Sequence, residues 1–175
     1  AIVLREHGKA TNKTNIHTEI GDNWRFSEVH AVLGLQQMKK VEYIVSERTR
    51  LAKFYDNLLD GYKGVERIII PDHVKSVYYK YIVFLPSHVE RQSFKQQLFK
   101  DYNISLTGEV YPHPCHMQPV FKKYPNKIIN DHDDKFTVTN NVCKHHICLP
   151  LYPGLTDEEV EYTVESLKQV LSCST

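Results

Sequence analysis

The sequence lacks most of the features that mark a specialised protein class. No apolar run approaches the roughly 20 residues needed to span a bilayer. The longest stretch of that character, Tyr81 to Leu85, is the size of a strand. Ala1 to Leu4 is too short for the core of a signal peptide, and Arg5, Glu6 and His7 interrupt it. There is no excess charge of either sign. With 22 basic and 21 acidic residues, net charge +1, the chain lacks the electrostatic footprint of a nucleic-acid binder. The 4 cysteines form no CxxC pair and no small secreted framework, so reduced thiols and a cytoplasmic setting are expected. There is no Gly-rich phosphate loop, no GxSxG and no HExxH. We find neither an internal repeat nor a low-complexity segment. A composition of 41% apolar and 25% charged residues is that of an ordinary globular protein with a real core.

Strands and helices are legible in the periodicity. Ala1 to His7 reads as the tail of a helix stopped by Gly8, as if the chain were cut from a larger protein. Residues 9–26 show no apolar period and read as a long irregular connection. Ser27 and Glu28 open the clearest helix, one supplying a cap and the other suiting the positive end of the dipole. Its apolar positions, Val29 through Leu59, recur at steps of three and four or their sums, and Gly61 stops it. About 33 residues would make a helix of about 50 Å, so a break or a connection between two domains is expected. Gly34 inside it suggests close packing against another backbone, or simple tolerance. Val65–Ile70, Val77–Leu85 and Ile104–Val110 read as strands, the first two ended by Pro71 and Pro86. Residues 88–101 read as an amphipathic helix through Val89, Phe94, Leu98 and Phe99. Residues 111–134 read as a loop, 136–146 as a helix and 147–149 as a short strand. Thr156 to Glu159 is a capping box opening a last helix whose core face is Val160, Val164, Leu167 and Leu171. The implied fold class is α+β, a two-layer sandwich with a small sheet.

Several groups of residues could carry chemistry. Cys115, His116, Cys143, His145, His146 and Cys148 are metal-ligand types. Their spacing lacks the short gap on a turn that holds zinc, so no metal is expected, and His145 and His146 read as solvent-facing residues at a helix end. Cys115 beside His116 is a poor nucleophile pair, because the side chains of sequence neighbours diverge. Asn23, Trp24 and Arg25 stand just before a helix start. An amide donor and a guanidinium fork there can hold a phosphate, although a turn with a capping Asn uses the same residues. The segment Val110–Pro119 is stiffened by proline, and its Tyr, His and Gln side chains can read hydroxyls. A rigid surface loop would have the same composition.

Leu4 to Lys9, then Gly21 followed by Asn23, Trp24, Arg25, Phe26, Ser27 and Glu28, then Leu33 to Gln37, resemble the DegT/StrS sugar aminotransferases. So do the loop Tyr111 to Pro119 and the segment Leu149 to Glu159. The motifs follow the family's order and spacing over essentially the whole chain. The resemblance implies the small C-terminal domain of a fold type I, aspartate-aminotransferase-like enzyme, led by a long connecting helix. It further implies pyridoxal phosphate as cofactor, a homodimer whose sites are shared between subunits, and amino transfer, usually from glutamate, to a keto group of a nucleotide-linked sugar. Residues 1–26 would be the tail of the large cofactor-binding domain, 27–60 the connecting helix and 61–175 the small domain. The family's Schiff-base lysine would lie upstream of Arg5, so no catalytic residue is assigned, and Lys9 matches only the motif. Asn23 and Arg25 are the expected cofactor-phosphate residues, with Arg25 on substrate phosphates or bracing the loop; His116 and Gln118 are expected toward the sugar. Phe26 stands where the family usually has Met and Trp24 where Tyr is commoner, which leaves the subgroup open. No nucleic acid and no membrane partner is expected. The rival expectation is a free-standing, non-catalytic α+β binding or interaction module.

Overall fold

The capping box at Thr156 forms as the sequence predicts. The Thr156 hydroxyl accepts from the Glu159 N–H at 3.2 Å, and the Glu159 carboxylate accepts from the Thr156 N–H at 2.9 Å. It opens helix α7, Asp157–Ser172. Val160, Val164 and Leu167 are almost wholly buried, as the helical period requires. The structure, a computed structural model, describes residues 1–9, 16–109, 111–124 and 136–173. It divides into two compact units, residues 1–43 and 44–175.

The first unit holds α1, Ile2–Arg5, and α2, Glu28–Met38. Ser27 caps α2, accepting from the His30 N–H at 3.4 Å, and Glu28 occupies the first turn. The long helix expected over 27–60 breaks at Lys39 and Lys40, and α3, Val41–Leu58, follows. No glycine or proline forces this break. Every apolar position of α2 sits at the surface; Val29, Val32, Leu33, Leu35 and Met38 are exposed. A Cβ on Gly34 would meet only the Phe26 ring, at an ordinary 3.7 Å, so the structure gives no packing reason for this glycine.

The second unit is built on a three-stranded antiparallel sheet of order β1-β2-β3: Glu66–Arg67, Tyr81–Phe84 and His146–Leu149. Tyr81 pairs with Leu149 and Phe84 with His146. Between the strands lie α4 (Arg91–Tyr102), α5 (Pro119–Lys123) and α6 (Thr137–His145). The core joins Leu51, Tyr55 and Leu59 of α3 to Tyr81 and Val83 of β2. Phe94 and Leu98 of α4, Ile147 and Leu149 of β3, and the inner face of α7 complete it. Tyr55 and Tyr81 stack at 4.7 Å, and the Tyr55 hydroxyl donates to the Pro150 carbonyl at 3.0 Å. Burial pushes both phenols above their ordinary value, and for Tyr81 its hydrogen bond to Asp56 adds to the effect. Arg67 and the Tyr81 hydroxyl converge on Asp56.

Several expectations fail. The described part of Ile104–Val110 is not a strand: Ile104 and Leu106 are buried and Ser105 and Thr107 exposed, with no ladder partner among the described residues. Val65–Ile70 pairs only at Glu66 and Arg67, and Val77–Leu85 only from Tyr81 to Phe84. Phe99 is 57% exposed and does not join the core of α4. The loop over 111–134 contains a 3-10 turn, Cys115–Met117, as well as α5; residues 125–134 of that expectation, and Val110 of the strand, lie outside the described residues. His145 and His146 are buried, not solvent-facing. Their Nδ1 atoms lie 3.0 and 2.7 Å from the Asn141 and Val142 carbonyls four residues back, which satisfies one ring nitrogen of each locally. Among the described residues no helix is long and apolar enough to cross a membrane.

Candidate functional site

The residues before α2 are tied to the first turn of the chain. His7 N–H donates to the Asp22 carbonyl at 3.0 Å, Asp22 N–H to Leu4 at 2.9 Å and Trp24 N–H to Arg5 at 3.1 Å. Glu6 and Asn23 form a bridge. Two glycines permit this approach. Gly8 has φ +75°, and a Cβ there would run into the Glu19 carbonyl; a Cβ on Gly21 would collide with the backbone of Gly8 and Leu4. The connector expected to be merely irregular is thus, where described, pinned to the chain's start.

This folding brings Asn23 and Arg25 together with Glu6 and His7. The Arg25 Nε donates to the Asn23 side-chain oxygen at 3.0 Å and lies 3.6 Å from the Glu6 carboxylate. Its Nη2 lies 3.3 Å from the His7 Nε2. All of this is at the surface except Glu6 and His7, which are half-buried. Arg25 thus links Asn23 to Glu6 and His7. It also orients Asn23: with the amide oxygen engaged, the amide nitrogen keeps its two donor protons uncommitted among the described residues. Such a set can offer a phosphate a neutral amide donor beside a guanidinium whose charge is only partly offset by Glu6, which Arg5 also contacts at 3.1 Å. Glu6 and His7 were visible only as motif residues, since nothing local links them to residues 17 or more positions away.

His116 and Gln118 lie in the second unit, on one loop. His116 stacks on Phe136 with ring centroids 4.4 Å apart. Gln118 precedes α5 as its N-cap residue, and its amide nitrogen donates to the His113 carbonyl at 3.4 Å. Both side chains are half-buried and hold the loop's shape. Cys143 and Cys148 are buried and Cys115 exposed. Among the described residues no cluster of three or more His, Cys, Asp or Glu is placed to hold a metal.

A small antiparallel sheet carrying helices, led by a long broken helix, is the architecture of the C-terminal part of fold type I aminotransferases. The chain superposes on DesV from S. venezuelae, solved with a ketimine intermediate, with TM-score 0.80 at 19% identity, covering 97% of this chain and 42% of that one. The sequence profile of the DegT/DnrJ/EryC1/StrS aminotransferase family matches residues 1–168, and the chain belongs to that family. Among curated relatives, the dTDP-4-amino-4,6-dideoxy-D-glucose transaminase of Escherichia coli is 29% identical over 147 residues, 82% of this chain and 38% of that protein. EpsN of Bacillus subtilis, provisionally named a pyridoxal phosphate-dependent aminotransferase, is 26% identical over 153 residues, 86% of this chain and 37% of that protein. The chain thus spans well under half the length of these relatives.

Proposed function

We propose that this chain is the C-terminal portion of an aminotransferase that moves an amino group from glutamate to a keto group of a nucleotide-linked sugar. In this reading residues 1–26 end the large cofactor-binding domain, 27–60 form the connecting helix and 61–175 the small domain. The enzyme is a cytoplasmic homodimer. When bound, pyridoxal phosphate supplies the carbonyl that takes up and releases the amino group. The lysine that carries it belongs to the part of the enzyme preceding Ala1, so this chain alone does not transaminate. Asn23 donates to the cofactor phosphate of the other subunit's site. Arg25 holds the Asn23 amide in place and offsets the Glu6 charge. His116 and Gln118 shape the wall on the sugar side.

The observation that carries the reading is the 3.0 Å bond from Arg25 to the Asn23 oxygen, which fixes an amide donor just ahead of a capped helix. Removing one charge-assisted hydrogen bond costs about 1.5–3 kcal/mol, so Asn23→Ala in the full-length enzyme is expected to weaken cofactor retention roughly ten- to a hundredfold. Unchanged retention in an intact dimer would make Asn23 a turn residue only. Co-expression of a lysine-null subunit with an Asn23→Ala subunit tests sharing: one intact site per mixed dimer should restore activity. No recovery in confirmed mixed dimers, with Asn23→Ala homodimers inactive, would refute a shared site. For the chain alone, a borohydride-trapped cofactor adduct on one specific lysine, with turnover, would overturn the inactivity.

A further inference from the structure

The second unit contains a cavity of about 300 Å³ whose walls come from four separated segments: the first half of α3, residues 79–80, residues 105–107 and the chain leaving β3. Two cations line it, Arg48 and Lys80, and no acidic residue does. Arg48 differs in this from the other arginines. Arg25, Arg50, Arg67 and Lys95 each have a carboxylate within 4.0 Å, and Arg91 donates to the Cys143 carbonyl at 2.6 Å. Among the described residues neither Arg48 nor Lys80 has a carboxylate within that distance, and the Arg48 side chain makes no hydrogen bond. Its Nε is buried and unpartnered. The Arg48 guanidinium thus has no protein acceptor among the described residues, which leaves its outer donors for a ligand in the cavity.

The remaining lining suits the same ligand. Tyr79, Ser105, Thr107 and Tyr152 bring hydroxyls, which donate to an oxyanion as readily as to water. The Pro150 carbonyl, which would otherwise present an acceptor to the wall, is occupied by the Tyr55 hydroxyl. Lys80 is seated by its surroundings. Its Nζ lies 5.5 Å from the centre of the Tyr79 ring, and 3.3 Å from where a Cβ on Gly108 would stand. Gly108 has φ +81°, a conformation glycine adopts freely, so it allows both the turn and the close approach of the ammonium.

We propose that this cavity is a binding site for an oxyanion, a phosphate or carboxylate group, held between Arg48 and Lys80 with Thr107 and Ser105 as neutral donors. The inference stands on the second unit alone and does not depend on the roles given to Asn23 and Arg25. It is tested on the full chain by titration with inorganic phosphate and, separately, with L-glutamate at fixed ionic strength, followed by calorimetry and by amide chemical shifts. Saturable binding is expected, with the Ser105 and Thr107 amides among those that move. Arg48→Gln should weaken it roughly ten- to a hundredfold, the loss of one charge-assisted donor. Preference for phosphate would assign the site to a phosphoryl group, and preference for glutamate to a carboxylate. Should Arg48→Gln fail to fold, Lys80→Gln with the amide map decides in its place. No saturable binding of either anion, binding matched by added chloride, or equal affinity in folded Arg48→Gln and Lys80→Gln would overturn the proposal.

Discussion

Replacing Tyr55 by Phe should weaken the fold at neutral pH and leave it almost unchanged near pH 11. Tyr55 is fully buried, and its hydroxyl bonds the Pro150 carbonyl at 3.0 Å. The substitution keeps the ring that stacks on Tyr81 and removes only the donor. Pro150 is half-buried, so water replaces part of what is lost, and the cost at pH 7 is about 1–2 kcal/mol. Burial raises the Tyr55 phenol well above 10 in the folded chain. The folded state therefore keeps a proton that the unfolded chain surrenders above about pH 10. Stability from this group is complete below that pH and falls by about 1.4 kcal/mol per unit as pH rises toward the folded value. By pH 11 the wild-type chain has lost about 1.4 kcal/mol that the Phe variant never had, and the gap between them closes to near zero. Lysine titration affects both chains alike and cancels in the difference. Urea unfolding at pH 7 and 11, followed by far-ultraviolet circular dichroism, measures the gap. An equal gap at the two pH values would show that Tyr55 is not held protonated by burial.

Leu167→Ala removes a fully buried side chain from the face of α7 and is expected to cost about 2–5 kcal/mol in the same unfolding measurement. Burial is the largest single influence on the Glu109 carboxyl and raises it, but the Lys95 ammonium at 2.6 Å, its own backbone N–H and the Arg91 charge together outweigh this, so its net shift is downward. Its contribution is present above the ordinary carboxylate range and lost as pH falls through the folded value; Glu109→Gln should cost about 1–2 kcal/mol at pH 7 and much less in acid. Gly8→Ala forces a side chain into left-handed backbone against the Glu19 carbonyl, costing at least about 1–2 kcal/mol locally. Hydrogen exchange should show faster amides at His7, Asp22 and Trp24, with the second unit's core unaffected.

Where order comes from neighbours in sequence, it was legible. The capping box at Thr156, the Ser27 cap and the buried face of α7 follow from local hydrogen bonds and a helical period. The segment from Ile104 fails as a strand because alternation reports which side chains are buried, and Ile104 and Leu106 achieve burial without a ladder. His145 and His146 were misjudged because their burial depends on bonds to carbonyls four residues back, which a polar side chain does not announce. Asn23 and Arg25 could be read as a set, but not the Glu6 and His7 contacts, which depend on the chain doubling back through Gly8 and Gly21. Arg48, Lys80 and Thr107 share a cavity only because four distant segments meet, and no local pattern encodes that.

β3 lies at an edge of the described sheet, yet His146, Ile147, Cys148 and Leu149 are all buried, while the opposite edge strand has only two residues. Neither edge offers a long bare row of backbone groups as a template for another chain. A run of uncovered apolar side chains lies on α2 instead, at Val29, Val32, Leu33 and Leu35. If this chain precipitates when concentrated, the deposits should therefore be amorphous and built from folded molecules. Helical infrared bands should persist, thioflavin should stay dark, and mild detergent should return the material to solution.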